Sequence, residues 1–517
     1  MPILLLFVLL LSRKVAGHIA TVSTLLVGLL VATTLFTMPP ELAAASALYG
    51  ILNGLFPIGW IVLNAVFLYN LSVASGSFDI VRDSIERVTA DRRLQALLIA
   101  FCFGAFLEGA AGFGAPVAIT AGMLVGLGFD ALYAAGICLI ANTAPVAFGG
   151  IGIAIITAGH LTNIDPNILS RMIAHQLPLM ALIIPLWLVL IIAGWRGALA
   201  VWPAIAVTGV SYAVTMYATA TYLGPTLPDI LSAIVSILCL ILLLRVWRPR
   251  QVWRFPHERD SAEHPVRDTH SWRTLLWAWT PFLLLIFFIG NWGVAAVQHV
   301  LGSVTLQLPF AILGNIQLAN GHALSVSYSF AWLGAAGTAI LCAALVSALV
   351  LGVSWSMFVR TALHTLRELY KPLITIGSIV GFAYVANYSG MSAAIGTALA
   401  MTGFIFPFLS PLLGWFGVFI TGSDTSSNAL FSTIQQQTAT SLGVSPVLTV
   451  AANSSGGVAA KMISPQSIAV ATASAKLTGQ EGTLFRFTIL HSIGLVLIIC
   501  VLTYLQAYYL PWLVPSL

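Results

Sequence analysis

Along this chain, apolar runs of membrane-crossing length alternate with short polar stretches. The runs fall near residues 17–37, 43–73, 94–107, 131–157, 172–193, 199–220, 226–244, 275–298, 326–353, 373–390, 401–420 and 484–510, with a shorter one at 2–12. A helix needs about 20 apolar residues to cross the hydrocarbon core. The pattern therefore predicts an all-α polytopic membrane protein of roughly a dozen spans. In the 2–12 run the basic residues Arg13 and Lys14 follow the apolar stretch, which reads as a retained first span and not as a secretory signal. Two further stretches, 108–129 and 428–475, are apolar but cut by glycine and polar clusters. They predict broken or re-entrant helices, since opened backbone survives at membrane depth only where protein or a wet cavity lines it.

The first interruption, Phe103 to Pro116, carries Glu108 together with Gly104, Gly109, Gly112 and Gly114. Glycine costs a helix about 1 kcal/mol each, and a charge at the bilayer centre costs ~2.5–3.5 kcal/mol. The second interruption, Thr421 to Asn428, is an unbroken run of small polar residues and glycine around Asp424, Thr425, Ser426 and Ser427. Such residues cap helix N-termini, so a helix is expected to start there, in mid-membrane. Asn453-Ser454-Ser455-Gly456-Gly457 is expected to be another start, followed by Lys461 and Ser464-Pro465-Gln466. Asn142 and Thr143, with Pro145, Gly149 and Gly150, take the matching place earlier in the chain.

These clusters echo one another. FGAFLEGA (103–110) parallels FGVFITGS (416–423), IANTA (140–144) parallels AANSS (451–455), and ASGS (74–77) parallels YSGM (388–391), all at nearly one offset. Two repeats are expected, at about 43–157 and 373–475. Between them lie spans over 172–353 with a basic loop at 245–273, and a final span follows at 484–510. Lys and Arg mark the cytoplasmic side. They gather at 13–14, at 77–93, at 245–273 and at Arg360, Arg367 and Lys371, whereas 301–325 has no charged residue. On that count, 43–73 ends inside and 373–390 starts inside, so the repeats run in opposite directions. Inverted repeats are a hallmark of secondary transporters, with the substrate site at their interface near the midplane.

Composition narrows the class. Of 517 residues, 59% are hydrophobic and only 7% charged, against about 25% charged in soluble domains, and mean hydropathy is +0.99. The net charge of +5 sits in short loops and does not mark a nucleic-acid surface. The five cysteines lie in apolar runs without metal spacing, so neither a disulfide framework nor a metal site is expected. With no His-rich metal set, Ser/His pairing or nucleotide loop, the chain does not read as an enzyme and calls for no cofactor.

Helix N-termini, hydroxyls and the Asn142 and Asn453 amides suit a small anion bearing a hydroxyl beside its carboxylate. Lys461 is the only Lys or Arg within 416–475 and is the expected fixed positive charge. Glu108 and Asp424 are the expected proton carriers, because a buried carboxylate is costly in its charged form. Three structural readings stand beside these: close helix packing by the glycine and serine clusters, a Glu108–Lys461 ion pair, and a Lys461 that snorkels to the interface. A sodium-coupled carboxylate transporter is the alternative, with Asp424 and Asn428 beside unwound carbonyls holding the cation.

The chain resembles the L-lactate permease family of bacterial secondary transporters. The likeness rests on LEGAAGFGAPVAI (107–119), NYSGMS (387–392), FITGSDTSSNALF (419–431), NSSGGVAAKMISPQSIAVA (453–471) and LFRFT (484–488), with GLFPIGWIVLNAVFLY (54–69). It implies a multi-pass protein of the bacterial inner membrane, with inverted-repeat architecture. The implied activity is uptake of L-lactate by proton symport, with D-lactate and glycolate as further 2-hydroxymonocarboxylate substrates. It also places functional weight on Glu108, Gly112, Gly114, Asn142, Asp424 to Asn428, Asn453 to Ser455 and Lys461.

Overall fold

The computed structural model describes residues 2–11, 15–110, 112, 115–255, 271–292, 294–315, 327–477 and 479–516. Among these, nine helices are long and apolar enough to cross a membrane, and one further pair of helices, bent by 66° at a break, forms a broken span. Many outward-facing side chains are large and apolar, among them Leu26, Leu30, Leu238, Leu242, Phe287 and Leu490. Such a surface fits lipid and not water. The protein is a multi-pass helical membrane protein.

The elements that matter for the site are α1 (Gly17–Thr34), α2 (Pro40–Ala74), α3 (Ser77–Glu86), α4 (Arg92–Ala110), α5 (Ala115–Gly126), α6 (Ala131–Ala141) and α7 (Gly149–Thr162). After a central group that includes α8 (Trp202–Tyr222) and α9 (Pro228–Val246) come α10 (Trp355–Tyr388), α11 (Met391–Ala400) and α12 (Phe406–Thr421). They are followed by α13 (Asp424–Leu442), α14 (Pro446–Ala460), α15 (Pro465–Ser474) and α16 (Glu481–Tyr508). One order of elements occurs twice. A long helix (α2, α10) ends at a left-handed glycine, Gly76 (φ 75) or Gly390 (φ 83). A ten-residue helix follows (α3, α11), then a span, a break, two helices and a second break.

The two sets interlock. Helix α10 of the second set packs against α1 and α2. Glycines permit the approach: a Cβ on Gly50 would lie 2.7 Å from the Gly381 Cα, and one on Gly54 would lie 3.0 Å from the Gly377 Cα. Small residues bring membrane helices together in this way. At the opposite ends, α7 of the first set packs on α13 of the second, and α15 of the second packs on α5 of the first. Each set therefore completes its core with a helix from the other.

Several expectations are corrected. Arg360, Arg367 and Lys371 do not form a loop before residue 373. They are exposed residues within α10, which starts at Trp355 behind the Ser354 cap. Nothing between Trp355 and Lys371 breaks a helix, as neither glycine nor proline occurs there. The 77–93 segment is likewise not all loop. Its α3 is amphipathic, and Arg82 sits 3.5–3.7 Å from Asp79, Asp83 and Glu86. The expected span over 326–353 begins instead with a strand, Ser327–Phe330, paired antiparallel with Leu306–Pro309, and its helix covers only Ala336–Val350. The Ser-Tyr-Ser-Phe alternation there has the strand period of two. Arg13, Lys14, Arg259, Arg267 and residues 316–325 lie outside the described residues.

Candidate functional site

Four breaks in helices converge on one place. The first follows α4, where Gly112 takes φ +62. Gly114 lies outside the described residues. The second follows α6: Asn142 to Pro145 turn, Val146–Phe148 form a single 3-10 turn, and α7 opens with Gly150, Ile151 and Gly152 at positive φ. A β-branched, buried residue such as Ile151 at φ 61 is strained, by about 1–2 kcal/mol, and such strain concentrates at functional sites.

The third break follows α12. Gly422 (φ 70) ends that helix, and the Ser423 hydroxyl accepts from the Ser426 N–H at 3.3 Å to cap α13. The fourth follows α14, where Lys461–Ile463 make a 3-10 turn and the Ser464 hydroxyl accepts from the Ser467 N–H at 3.2 Å to cap α15.

The helix start expected at Asn453 is therefore not there. Asn453 to Gly457 lie inside α14, and the start is at Ser464-Pro465. Proline accounts for the difference. Pro145 follows Asn142 closely and stops continuation of the helix, whereas no proline follows Asn453 until Pro465. The glycines of the Asn453 cluster instead admit neighbours. A Cβ on Gly456 would overlap the Pro411 carbonyl, and one on Gly457 would lie 2.6 Å from Asp424 Oδ1.

The breaks enclose a cavity of about 410 Å³. Glu108 and Gly112 face it from α4, and Gly149, Gly150, Ile153 and Ala154 from α7. Thr421 to Ser426 line it at the start of α13, and Lys461, Gln466, Ser467 and Val470 at and after the fourth break. His18 of α1 and Lys371 and Thr375 of α10 complete the wall. The N-termini of α7, α13 and α15 all border this space, and unpaired N–H groups with the positive end of the helix dipole favour an anion there.

The charges are few and close. The buried Lys461 ammonium donates to the Gly422 carbonyl at 2.8 Å. Its charge acts on both Glu108 and Asp424, yet among the described residues no ion pair closes between Lys461 and either carboxylate. Glu108 Oε2, both Asp424 oxygens, the Asn142 amide and the Thr143 and Ser455 hydroxyls are buried without a hydrogen bond of good geometry, although the Asn142 amide lies close enough to act on Glu108 and the Ser454 hydroxyl on Asp424. Each unpaired buried group costs about 1–3 kcal/mol. Carboxyl oxygens left unpaired beside a cavity are suited to exchange protons with what enters it.

Of the residues expected at a site, Glu108, Gly112, Asp424, Thr425, Ser426 and Lys461 meet at the cavity. Ser427, Asn428, Asn453 and Ser454 do not line it and instead bond to one another. Asn428 Nδ2 donates to the Ala154 carbonyl (2.9 Å) and to Ser454 Oγ (2.7 Å). Asn453 Nδ2 donates to Asn428 Oδ1 (2.8 Å), and Gln435 Nε2 donates to Asn453 Oδ1 (3.2 Å). This network joins α7, α13 and α14 behind the cavity wall. Thr421, Ser423, Gln466 and Ser467 line the cavity but were not among the residues expected to bind substrate. All four fall within or beside the quoted polar clusters, and the signal available was the N-cap pattern at Ser423 and Ser464.

Helices broken around a buried, charged cavity inside a polytopic membrane protein define a membrane transport protein. The L-lactate permease family model matches residues 1–510, and the chain belongs to that family, whose members are permeases and not enzymes. It is 49% identical to the L-lactate permease of Bacillus subtilis (strain 168), over 99% of this chain and 96% of that one. It is 46% identical to glycolate permease GlcA of Escherichia coli (strain K12), over 98% and 94%. Among solved structures, the Alcanivorax borkumensis YdaH transporter aligns with 89% of this chain and 86% of its own, at TM-score 0.47 and 15% identity.

Proposed function

We propose that the protein takes up L-lactate, and with it D-lactate and glycolate, by proton symport across the bacterial inner membrane. The substrate class follows the lactate and glycolate permeases it is similar to. The observation that carries the coupling is the buried charge set of the cavity: two carboxylates, Glu108 and Asp424, and one ammonium, Lys461; Lys371 of the same wall is exposed and stands outside this buried set. Uncompensated charge in the membrane interior is costly, so the empty cavity favours one proton shared by the two carboxyls. A bound 2-hydroxymonocarboxylate adds one negative charge, and neutrality is kept when a second proton arrives with it. One proton per monoanion is the stoichiometry this arithmetic gives.

In this reading the substrate carboxylate lies near Lys461 and the N-termini of α13 and α15. The substrate hydroxyl reaches the Thr425, Ser426 or Ser467 hydroxyls. The two sets of elements, 43–157 and 373–475, act as inverted repeats whose basic ends face the cytoplasm.

The sodium-coupled reading meets a specific obstacle. The Gly422 carbonyl, a buried backbone oxygen at the break beside Asp424, already accepts from the Lys461 ammonium, so sodium would have to displace that bond.

The test is uptake of labelled L-lactate into proteoliposomes. A neutral proton–lactate pair predicts accumulation of about tenfold per pH unit of inward gradient, abolished by a protonophore and indifferent to membrane potential. Uptake that ignores the pH gradient and follows sodium at fixed pH would overturn this reading.

A further inference from the structure

Behind Glu108, away from the cavity, lies a carboxyl group that transport as described above leaves idle. Asp229, in the first turn of α9, is 1% exposed, and its Oδ2 has no hydrogen-bond partner. Its Oδ1 accepts a 3.3 Å bond from the buried Tyr212 hydroxyl on α8. It is pressed against α4 at the residue next to Glu108. A Cβ on Gly109 would lie 2.7 Å from the Asp229 Cβ and 3.1 Å from the Ile230 nitrogen. Glycine at 109 is what lets the start of α9 touch α4 at this level.

Asp229 and Glu108 act on each other electrostatically, and among the described residues no Lys, Arg or His acts on Asp229. The titratable groups facing it are Glu108 from α4 and Tyr212 from α8. Cys102 of α4 lies further along, its thiol 3.3 Å from the Ser236 hydroxyl. Beyond Asp229 the buried Ser232 and Thr208 hydroxyls, one on α9 and one on α8, also lack partners. The first turn of a helix suits a carboxylate, but a buried one with an unpaired oxygen and no cation facing it is costly in its charged form and so favours holding a proton. Acidic groups inside a membrane bundle, next to further unpaired hydroxyls, mark proton paths.

We propose that Asp229 is a second proton-carrying group of this transporter, exchanging its proton with Glu108 so that protons reach the cavity wall from behind. The step is a transfer of H⁺ alone, relayed through one bridging water because the two carboxyls share no direct hydrogen bond: the Asp229 O–H bond breaks, the water passes one proton on as it takes one up, a Glu108 O–H bond forms, and the charge of the pair is unchanged. Tyr212 donates to Asp229 and positions it. The proposal rests on the proton-symport reading, and it separates the proton's route from the substrate's.

The experiment compares wild type with Asp229→Asn and Tyr212→Phe in proteoliposomes, by gradient-driven accumulation and by lactate–lactate exchange at equal pH. Asp229→Asn is expected to lose the accumulation of about tenfold per pH unit that coupling gives, while exchange stays near the wild-type rate. Tyr212→Phe is expected to lose less. Asp229→Glu should restore accumulation that the Asn variant lacks. Accumulation unchanged in Asp229→Asn would overturn the proposal.

Infrared spectra cover the case in which Asp229→Asn does not fold. The Glu108→Gln/Asp424→Asn double variant is expected to keep a protonated-carboxyl C=O band at neutral pH, and absence of that band would overturn the proposal. If wild type ignores the proton gradient, the symport reading fails, whereas the band still decides whether Asp229 holds a proton.

Discussion

The two sides of the cavity are built from different materials. On the α4–α7 side the backbone turns through glycine and strained left-handed residues, Gly112 and Gly150 to Gly152, and the one charged group at the wall is Glu108. On the α12–α15 side the turns are capped by serines, and the wall carries Asp424, Lys461 and a file of hydroxyls. One side supplies shape and an acid. The other supplies the second acid, Asp424, with a fixed charge and hydrogen bonds. The division implies that loss of Glu108 should impair coupling, whereas loss of Lys461 should impair binding.

The largest effect is expected from Lys461→Met. It removes the single ammonium between two carboxylates and leaves the Gly422 carbonyl without its donor. Truncating one partner of a buried charge set costs about 2–5 kcal/mol, so kcat/KM for L-lactate should fall by about 30-fold or more, measured as initial uptake. Glu108→Gln on the opposite side should behave differently: exchange of lactate for lactate persists while accumulation against a gradient is lost. If both variants lose exchange equally, the division of labour is wrong.

Next come the two glycine turns. Gly422→Ala forces a left-handed alanine and brings its Cβ to 2.5 Å from Gln466 Oε1, a flexible side chain on α15. Gly112→Ala forces the same backbone, with its Cβ 3.3 Å from the Gly150 nitrogen, which is fixed. Each should cost about 1–2 kcal/mol of stability for the backbone alone, read by thermal unfolding in detergent. Only Gly112→Ala is expected to slow transport further, because its neighbour is backbone and cannot turn aside.

Asn428→Ala and Asn453→Ala test where the site ends. Their amides are spent on one another, on Ser454 and on the Ala154 carbonyl. Each should lower stability by about 1–3 kcal/mol, the scale of a buried polar group left unpaired, with KM for lactate little changed. A large rise in KM with normal stability would move the boundary of the site to include them.

That boundary is where sequence and structure part company. The membrane class, the broken helices and the gathering of Glu108, Asp424 and Lys461 were legible, because charge and clustered glycine are costly inside apolar sequence and persist where the backbone opens onto a cavity. Which residues of a polar cluster face the cavity was not legible. Thr425, Ser426, Ser427 and Asn428 are consecutive, and on a helix consecutive residues point in different directions. Two of them line the wall and two join the network behind it. The likeness of Asn453 to Asn142 points to a helix start at 453, and only the absence of a nearby proline moves that start on to α15. Asp229 was invisible for a different reason: one acidic residue at a span end is usual, and only the touch of Gly109 shows that this one is beside Glu108.

The smallest expected effect concerns the methyl group that distinguishes lactate from glycolate. Hydroxyls and helix N-termini grip the features common to both, so preference must come from the apolar wall. Its branched side chains include Ile153 on α7 and Val470 on α15, one on each side of the same 410 Å³ cavity. Burying one methyl is worth about 0.8 kcal/mol, or roughly fourfold in a ratio of kcat/KM. Ile153 is the larger side chain, and the next residue along α7, Ala154, is tied across to α13 through the Asn428 amide, whereas the hydroxyl bond to the Val470 carbonyl comes from Ser474 of its own helix. Ile153→Ala should therefore erase up to about fourfold of any lactate preference over glycolate, and Val470→Ala should change it less. Competition between the two labelled acids measures the ratio directly. An equal loss from both variants would mean that the methyl lies between the two walls, shared by the halves that otherwise divide the work.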